Sequence, residues 1–232
     1  MASINLKHTS GNGTILNSPA ANPSSDITLK LPSTTGSAGQ VLKVASANHS
    51  ATNAELEFGA DTGGKLLQTV TVSDSVRETS GSVSLSSANT YYETPFAVTI
   101  TPSATSSKIL LMGHVFGEFS LDDYLFMWSI KRAISGGATT DIKAPAAGNR
   151  ARGISIPPAG FYVSESSSTP TVMNFSGLVD SPSTTSAVTY TFQVNSTQSA
   201  SQTFYYNRAV LDRDVIDDER GLSWITAQEI AA

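Results

Sequence analysis

The chain has no cysteine, so disulfides and thiolate metal sites are excluded. Charge is also scarce. Asp, Glu, Lys and Arg make up 14% of the residues, against about 25% in an ordinary soluble domain. The net charge is −5, so the basic footprint expected of a nucleic-acid binder is missing. Aromatics are few at 8%, and the apolar share of 39% supports a core but not a rich one. Long hydrophobic runs are lacking. The longest, KILLMGHVFGEF, is broken by His114 and Glu118, and nothing approaches the ~20 residues of a membrane helix. Met1-Ala2-Ser3 opens into ordinary sequence without the basic stretch and apolar core of a signal peptide. The expectation is a soluble protein made in a cytoplasm.

What fills the gap is Ser and Thr, roughly a quarter of the chain, a composition that suits exposed β surfaces and contact with sugars. Four Asn-x-Ser/Thr sequons, at Asn12, Asn48, Asn174 and Asn195, read as a by-product of that composition. A length of 232 residues holds one large β domain, or a medium domain plus an extension, and can do without disulfides.

The last third shows the clearest pattern. In AVTYTFQVNS, Val188, Tyr190, Phe192 and Val194 alternate with Thr189, Thr191, Gln193 and Asn195. A period of two predicts a strand with one face buried and one in water. Similar segments are LLQTVTV, PFAVTIT, KILLMGHVFGEF, YLFMWSIKRA, ARGISI, TPTVMNFSGLV, TFYYNRAV and LSWITAQEI. The last of them ends close to Ala232, as in a domain built to be a terminus. Helix signals are thin. DDERGLSW offers one turn capped by Asp217, stopped by Gly221. About eight antiparallel strands with few helices predict a two-sheet, jelly-roll-like β-sandwich over residues 65–232.

Residues 1–64 differ. Their only aromatic is Phe58, and short segments (SINLKH, DITLKLP, QVLKVA) are separated by turn chemistry such as GNGT and NSPAANPSSD. Each has too little apolar surface to fold alone. The expectation is a thin N-terminal β extension ordered by other copies or by another protein; the alternative is a flexible linker. Gly63-Gly64 mark the boundary.

The stretches GNGTILNSPAANPSSDITLKLPSTTGSAGQVLKV and LVDSPSTTSAVTYTFQVNS, with FYYNRAV and ITAQEIAA, resemble the two ends of tail-fibre and related virion proteins of marine phages, especially those of cyanobacteria. The resemblance implies a homotrimeric bacteriophage virion protein. Residues 1–64 would attach to other virion proteins. The C-terminal domain would bind the host, through a surface polysaccharide or an outer-membrane component. A chain this short fits a short tail fibre, or a collar, tail-adaptor or capsid decoration protein that touches no receptor.

Chemistry is sparse. His8, His49 and His114 lack zinc-site spacing, and the G-x-S-x-G elbow, the phosphate-binding P-loop and the dinucleotide fingerprint are absent. No cofactor, no metal and no catalytic residue is therefore expected. The Asp212, Asp214, Asp217, Asp218 and Glu219 cluster offers oxygen ligands for Ca²⁺, but Arg213 and Arg220 interrupt it and favour a solvated charged turn or ion pairs between chains. Asp122-Asp123 offers a carboxylate pair for a glycosidase, though adjacent residues in a turn suit that chemistry poorly. The long Gly/Ala/Pro-rich connections between residues 134 and 170 are where a β scaffold carries binding residues. There Phe161 and Tyr162 offer rings to stack on sugars, and Arg150 and Arg152 suit phosphate or acidic sugar. The plainer reading is that Phe161 packs the loop down and the arginines are solvated or pair across subunits.

Overall fold

A computed structural model describes residues 3–7, 13–17, 28–50, 53–60, 65–121, 126–146, 148–157, 169–197 and 201–231. The chain divides into two compact units, Met1–Thr62 and Gly63–Ala232.

In the first unit, β1 (Ser3–Lys7) and β2 (Gly13–Asn17) form a hairpin. A separate three-stranded sheet joins β3 (Thr28–Lys30), β4 (Gln40–His49) and β5 (Asn53–Ala60), with β3 parallel to β5. β2 and β5 were not expected from the sequence, because GTILN and NAELEFGA carry only short apolar touches. Leu29, Leu31, Leu42 and Val44 are each at least half exposed, and Ala45 is the one buried apolar residue among the described side chains. These strands therefore satisfy backbone hydrogen bonds without building a core.

The second unit is nearly all strand. In order it contains β6 (Leu66–Thr71), the short helix α1 (Asp74–Glu78), β7 (Gly81–Leu85), β8 (Thr90–Ile100), β9 (Lys108–Phe119), β10 (Phe126–Ile134) and β11 (Thr139–Ile142). After these come β12 (Thr171–Asp180), β13 (Val188–Ser196), β14 (Gln202–Tyr206) and β15 (Trp224–Ile230). Their antiparallel pairings are nested: β10 with β11, β9 with β12, β8 with β13 and β6 with β15. This is one long antiparallel ribbon with its tip at Gly136-Gly137. Rolling it up adds two further pairings, β10 with β13 and β9 with β15, and produces two sheets. The first runs β11-β10-β13-β8 and the second β6-β15-β9-β12. Along the ribbon β6, β8, β9 and β10 alternate between the sheets, and so do β11, β12, β13 and β15, with β10 and β11 sharing a sheet at the tip, which makes the unit a jelly-roll β-sandwich. β14 and β7 extend the second sheet beyond the far end of β9.

The core lies between the sheets. Phe96, Val98, Trp128, Ile130, Tyr190, Phe192 and Val194 of the first sheet meet Ile109, Leu111, Val115, Met173, Phe204 and Ile225 of the second. Gly113 and Gly117 occupy inward positions of β9. A side chain at either would collide, with the Phe175 ring at Gly113 and with the Tyr205 carbonyl and Phe204 ring at Gly117. β8 tolerates Pro95 because it is an edge strand and its pairing slips between Glu93 and Ala97.

Three local expectations change. ARGISI is not a strand; only Ser155 bridges to Trp128. DDERG forms no helical turn, and α1 is the helix the sequence reading lacked. The polar face of β13 is not in water: Thr191, Gln193 and Asn195 are all buried.

Candidate functional site

That covered polar face is the first sheet's outer surface. β13 runs between β10 and β8, so Asn195 stands opposite both Met127 and Tyr91, and Gln193 opposite both Ser129 and Glu93. Gln193 Nε2 donates to Ser129 Oγ at 2.9 Å and to Asp141 Oδ1 at 2.7 Å. Asp141 holds Lys143 at 2.8 Å, and the Lys143 ammonium lies 5.1 Å from the centre of the Tyr91 ring. Lys131 pairs with Glu93. Burial works to raise the Asp141 pKa. Bonds from Lys143 and Gln193 outweigh it and hold this carboxyl below its ordinary value.

The cover comes from the segment after β11. From Lys143 the chain leaves the sheet edge, and it returns at Gly153 to continue beside β10. Ala144 N–H donates to the Gly153 carbonyl at 3.0 Å, Ile154 N–H to the Trp128 carbonyl at 2.8 Å, and Trp128 N–H to the Ser155 carbonyl at 3.0 Å. The Tyr91 hydroxyl donates to the Arg152 carbonyl, and burial raises the Tyr91 pKa. Both feet of the excursion are thereby pinned to the scaffold.

Between the excursion and the sheet lies an open depression of about 270 Å³. Tyr91 and Asn195 line it from the sheet, and Lys143, Asn149, Arg150 and Arg152 from the excursion. Asn195 is 3% exposed, and its side-chain oxygen has no hydrogen-bond partner among the described residues. The depression thus combines cationic side chains with an aromatic ring, and the Asn195 oxygen lies sealed below its surface.

The structure brings Arg150 and Arg152 to one depression. Phe161, Tyr162, Asp122 and Asp123 lie outside the described residues, as does His8. Tyr91, Lys143 and Asn195 escaped the sequence reading. The one available signal for Asn195 and Gln193 was an amide on each polar position at the end of a strand otherwise faced with Thr.

Other candidates resolve into structure. Asp212 takes Arg220 at 2.6 Å and Asp218 takes Arg213 at 2.8 Å, so the acidic cluster is an ion-paired turn within one chain. Among the described residues no group of three or more His, Cys, Asp or Glu is placed to hold a metal. His114 stacks on Trp224 at 4.3 Å, with Nδ1 at 2.7 Å from Asn174 Oδ1. Two buried carboxylates are also structural. Glu118 accepts bonds from Thr169 and Val210 N–H, and Glu229 from Gln68, Ser103 and Ser107.

No family model matches the chain, and no curated protein matches it in sequence. Among solved structures it is similar to that of infectious bursal disease virus, Gx strain, with TM-score 0.31 and 11% identity over 82% of this chain. It spans 42% of that protein, less than half its length.

Proposed function

We propose that the protein is a virion structural protein, a short tail fibre that joins the particle through residues 1–64 and binds the host surface through its jelly roll, without catalysis. The observation that carries the host-binding half is the depression on the first sheet. A rigid scaffold presents a pinned excursion, and Arg150 and Arg152 face the same space as a buried amide. The resemblance of both chain ends to marine phage fibre proteins supports the virion half. The exposed apolar residues of the first unit suit a segment that is completed by other chains.

The same reading makes the protein a homotrimer. The outer face of the second sheet carries Leu110, Met112, His114 and Phe116 of β9, Val172, Asn174 and Val179 of β12, and Trp224, Thr226, Gln228 and Ile230 of β15, with Lys108 at one end. A weakly charged face with several apolar side chains suits contact with identical copies.

Deleting residues 1–64 should leave a folded β protein that no longer joins particles. Incorporation at normal occupancy would overturn the attachment role. A capsid decoration, collar or tail-adaptor role is the competing reading, and it predicts that particles lacking the jelly roll adsorb to host cells normally. Release of oligosaccharides from host polysaccharide, abolished by Asp122→Asn or Asp123→Asn, would make the protein a hydrolase instead.

A further inference from the structure

We propose that the β3-β5-β4 sheet of the first unit is a self-association surface, whose apolar face packs on the same face of the other copies of this chain. The proposal rests on the homotrimer reading above and names a second place where the copies meet.

Register defines the face. β3 aligns Leu29 with Ala54, and β4 aligns Leu42 with Phe58 and Val44 with Leu56. Paired residues of neighbouring strands share a face, as do alternate residues of one strand, so these six side chains lie together. Lys30, Lys43, Glu55 and Glu57 fall on the opposite face, where Lys43 and Glu57 form an ion pair at 3.7 Å. One face is made for water and the other is not. Yet in the single chain Leu29 is 60%, Leu42 51% and Val44 50% exposed. Gly36, in the loop before β4, backs the Phe58 ring; a side chain there would meet it at 2.6 Å. Among the described side chains the apolar face carries no charge, so it is complementary to itself and offers a charged partner nothing to pair with.

Area decides the occupant. β4 and β5 are 10 and 8 residues long and β3 is 3. At ~3.3 Å per residue and ~4.8 Å between strands, the face covers roughly 350 Å². Laid on one foreign protein it buries roughly 700 Å² in total, below the ~1,000 Å² that a specific interface clears. Three copies around one axis bury roughly 1,000 Å² in one closed cluster. That only reaches the threshold, so the face works together with the contact of the second sheet, the two adding within one assembly.

The absence of cysteine makes the test clean. In the full-length protein, Leu42→Cys treated with a short bismaleimide should give covalently paired chains on a denaturing gel. Lys43→Cys, the next residue and on the opposite face, should stay single. Leu42→Lys should raise the concentration at which the trimer dissociates about tenfold or more, because each copy then buries a charge without a partner. The jelly roll should melt as before. Equal pairing by both cysteine variants, none by Leu42→Cys, or a Leu42→Lys trimer as tight as wild type would each overturn the proposal. So would particles in which Leu42→Cys links to a different virion protein and never to its own kind. If Leu42→Cys fails to fold, Leu29→Cys on the same face takes its place. A wild-type trimer whose Leu42→Cys chains stay single removes this face and leaves the homotrimer standing. A wild-type monomer removes both.

Discussion

At the scale of single residues, Glu229 shows how this weakly charged chain uses its few carboxylates. It is fully buried at the end of β15, where Gln68 Nε2 and the Ser103 and Ser107 hydroxyls each donate at 2.6 Å. Burial alone would raise its pKa, but these bonds outweigh it and hold the group at about 2. The drop from an unfolded value of 4.5 to about 2 corresponds to roughly 3 kcal/mol. That stability is complete above about pH 4.5 and is lost as pH falls toward 2. Thermal melts of wild type should therefore drop steeply across this window. Glu229→Gln should melt lower at neutral pH and change less across it. Parallel curves for the two proteins would show that Glu229 contributes no linkage. The residue was silent in the sequence, because its partners come from β6 and from the turn before β9.

At the scale of elements, β9 sets the order of the second sheet. Its one edge is covered by β12, and the other by β15 and then β14. The changeover needs the backbone at Gly117 to lie close against Tyr205. Gly117→Ala should destabilise the fold by about 1–3 kcal/mol, as overpacking does, read as a lower denaturant midpoint. Gly136→Ala, at the exposed ribbon tip with φ +70°, should cost about 1 kcal/mol through backbone strain alone. A Gly117→Ala effect no larger than that of Gly136→Ala would remove the close-packing argument. The neighbouring strands differ in how readable they were. β13 and β9 stand out by alternation or by an apolar run. β7 and β11 are 5 and 4 residues long and flanked by Ser, Gly and Thr, so pairing creates them and their own pattern does not.

At the scale of the whole molecule, the two sheets turn opposite characters outward. The first is polar and meets its own excursion; the second mixes apolar side chains with neutral polar ones and carries little charge. Trp224 sits 38% exposed on the second, stacked on His114. Light scattering at micromolar concentration should report a trimer, and Trp224→Glu should convert it to monomer without unfolding the jelly roll. A buried charge that lacks a partner disfavours association strongly. A trimer that survives Trp224→Glu would place the contact elsewhere, and a wild-type monomer would end the homotrimer reading.

The sequence alone determined that this is a β protein in two dissimilar parts without thiol chemistry, because alternation, turn residues and composition are local and additive. It also singled out Arg150 and Arg152, since long Gly/Pro-rich connections on a β scaffold are visible as strings. Tertiary structure alone decided what those arginines face. Tyr91, Lys143 and Asn195 lie far apart along the chain and meet through the register of β8, β13 and β10. Register is a property of paired strands, and a single strand does not encode its neighbour's offset. For the same reason the polar row of β13, written in the sequence as a face for water, became the floor of the site. What covers a sheet is set by where the chain returns to it, here at Gly153, and no local pattern records that return.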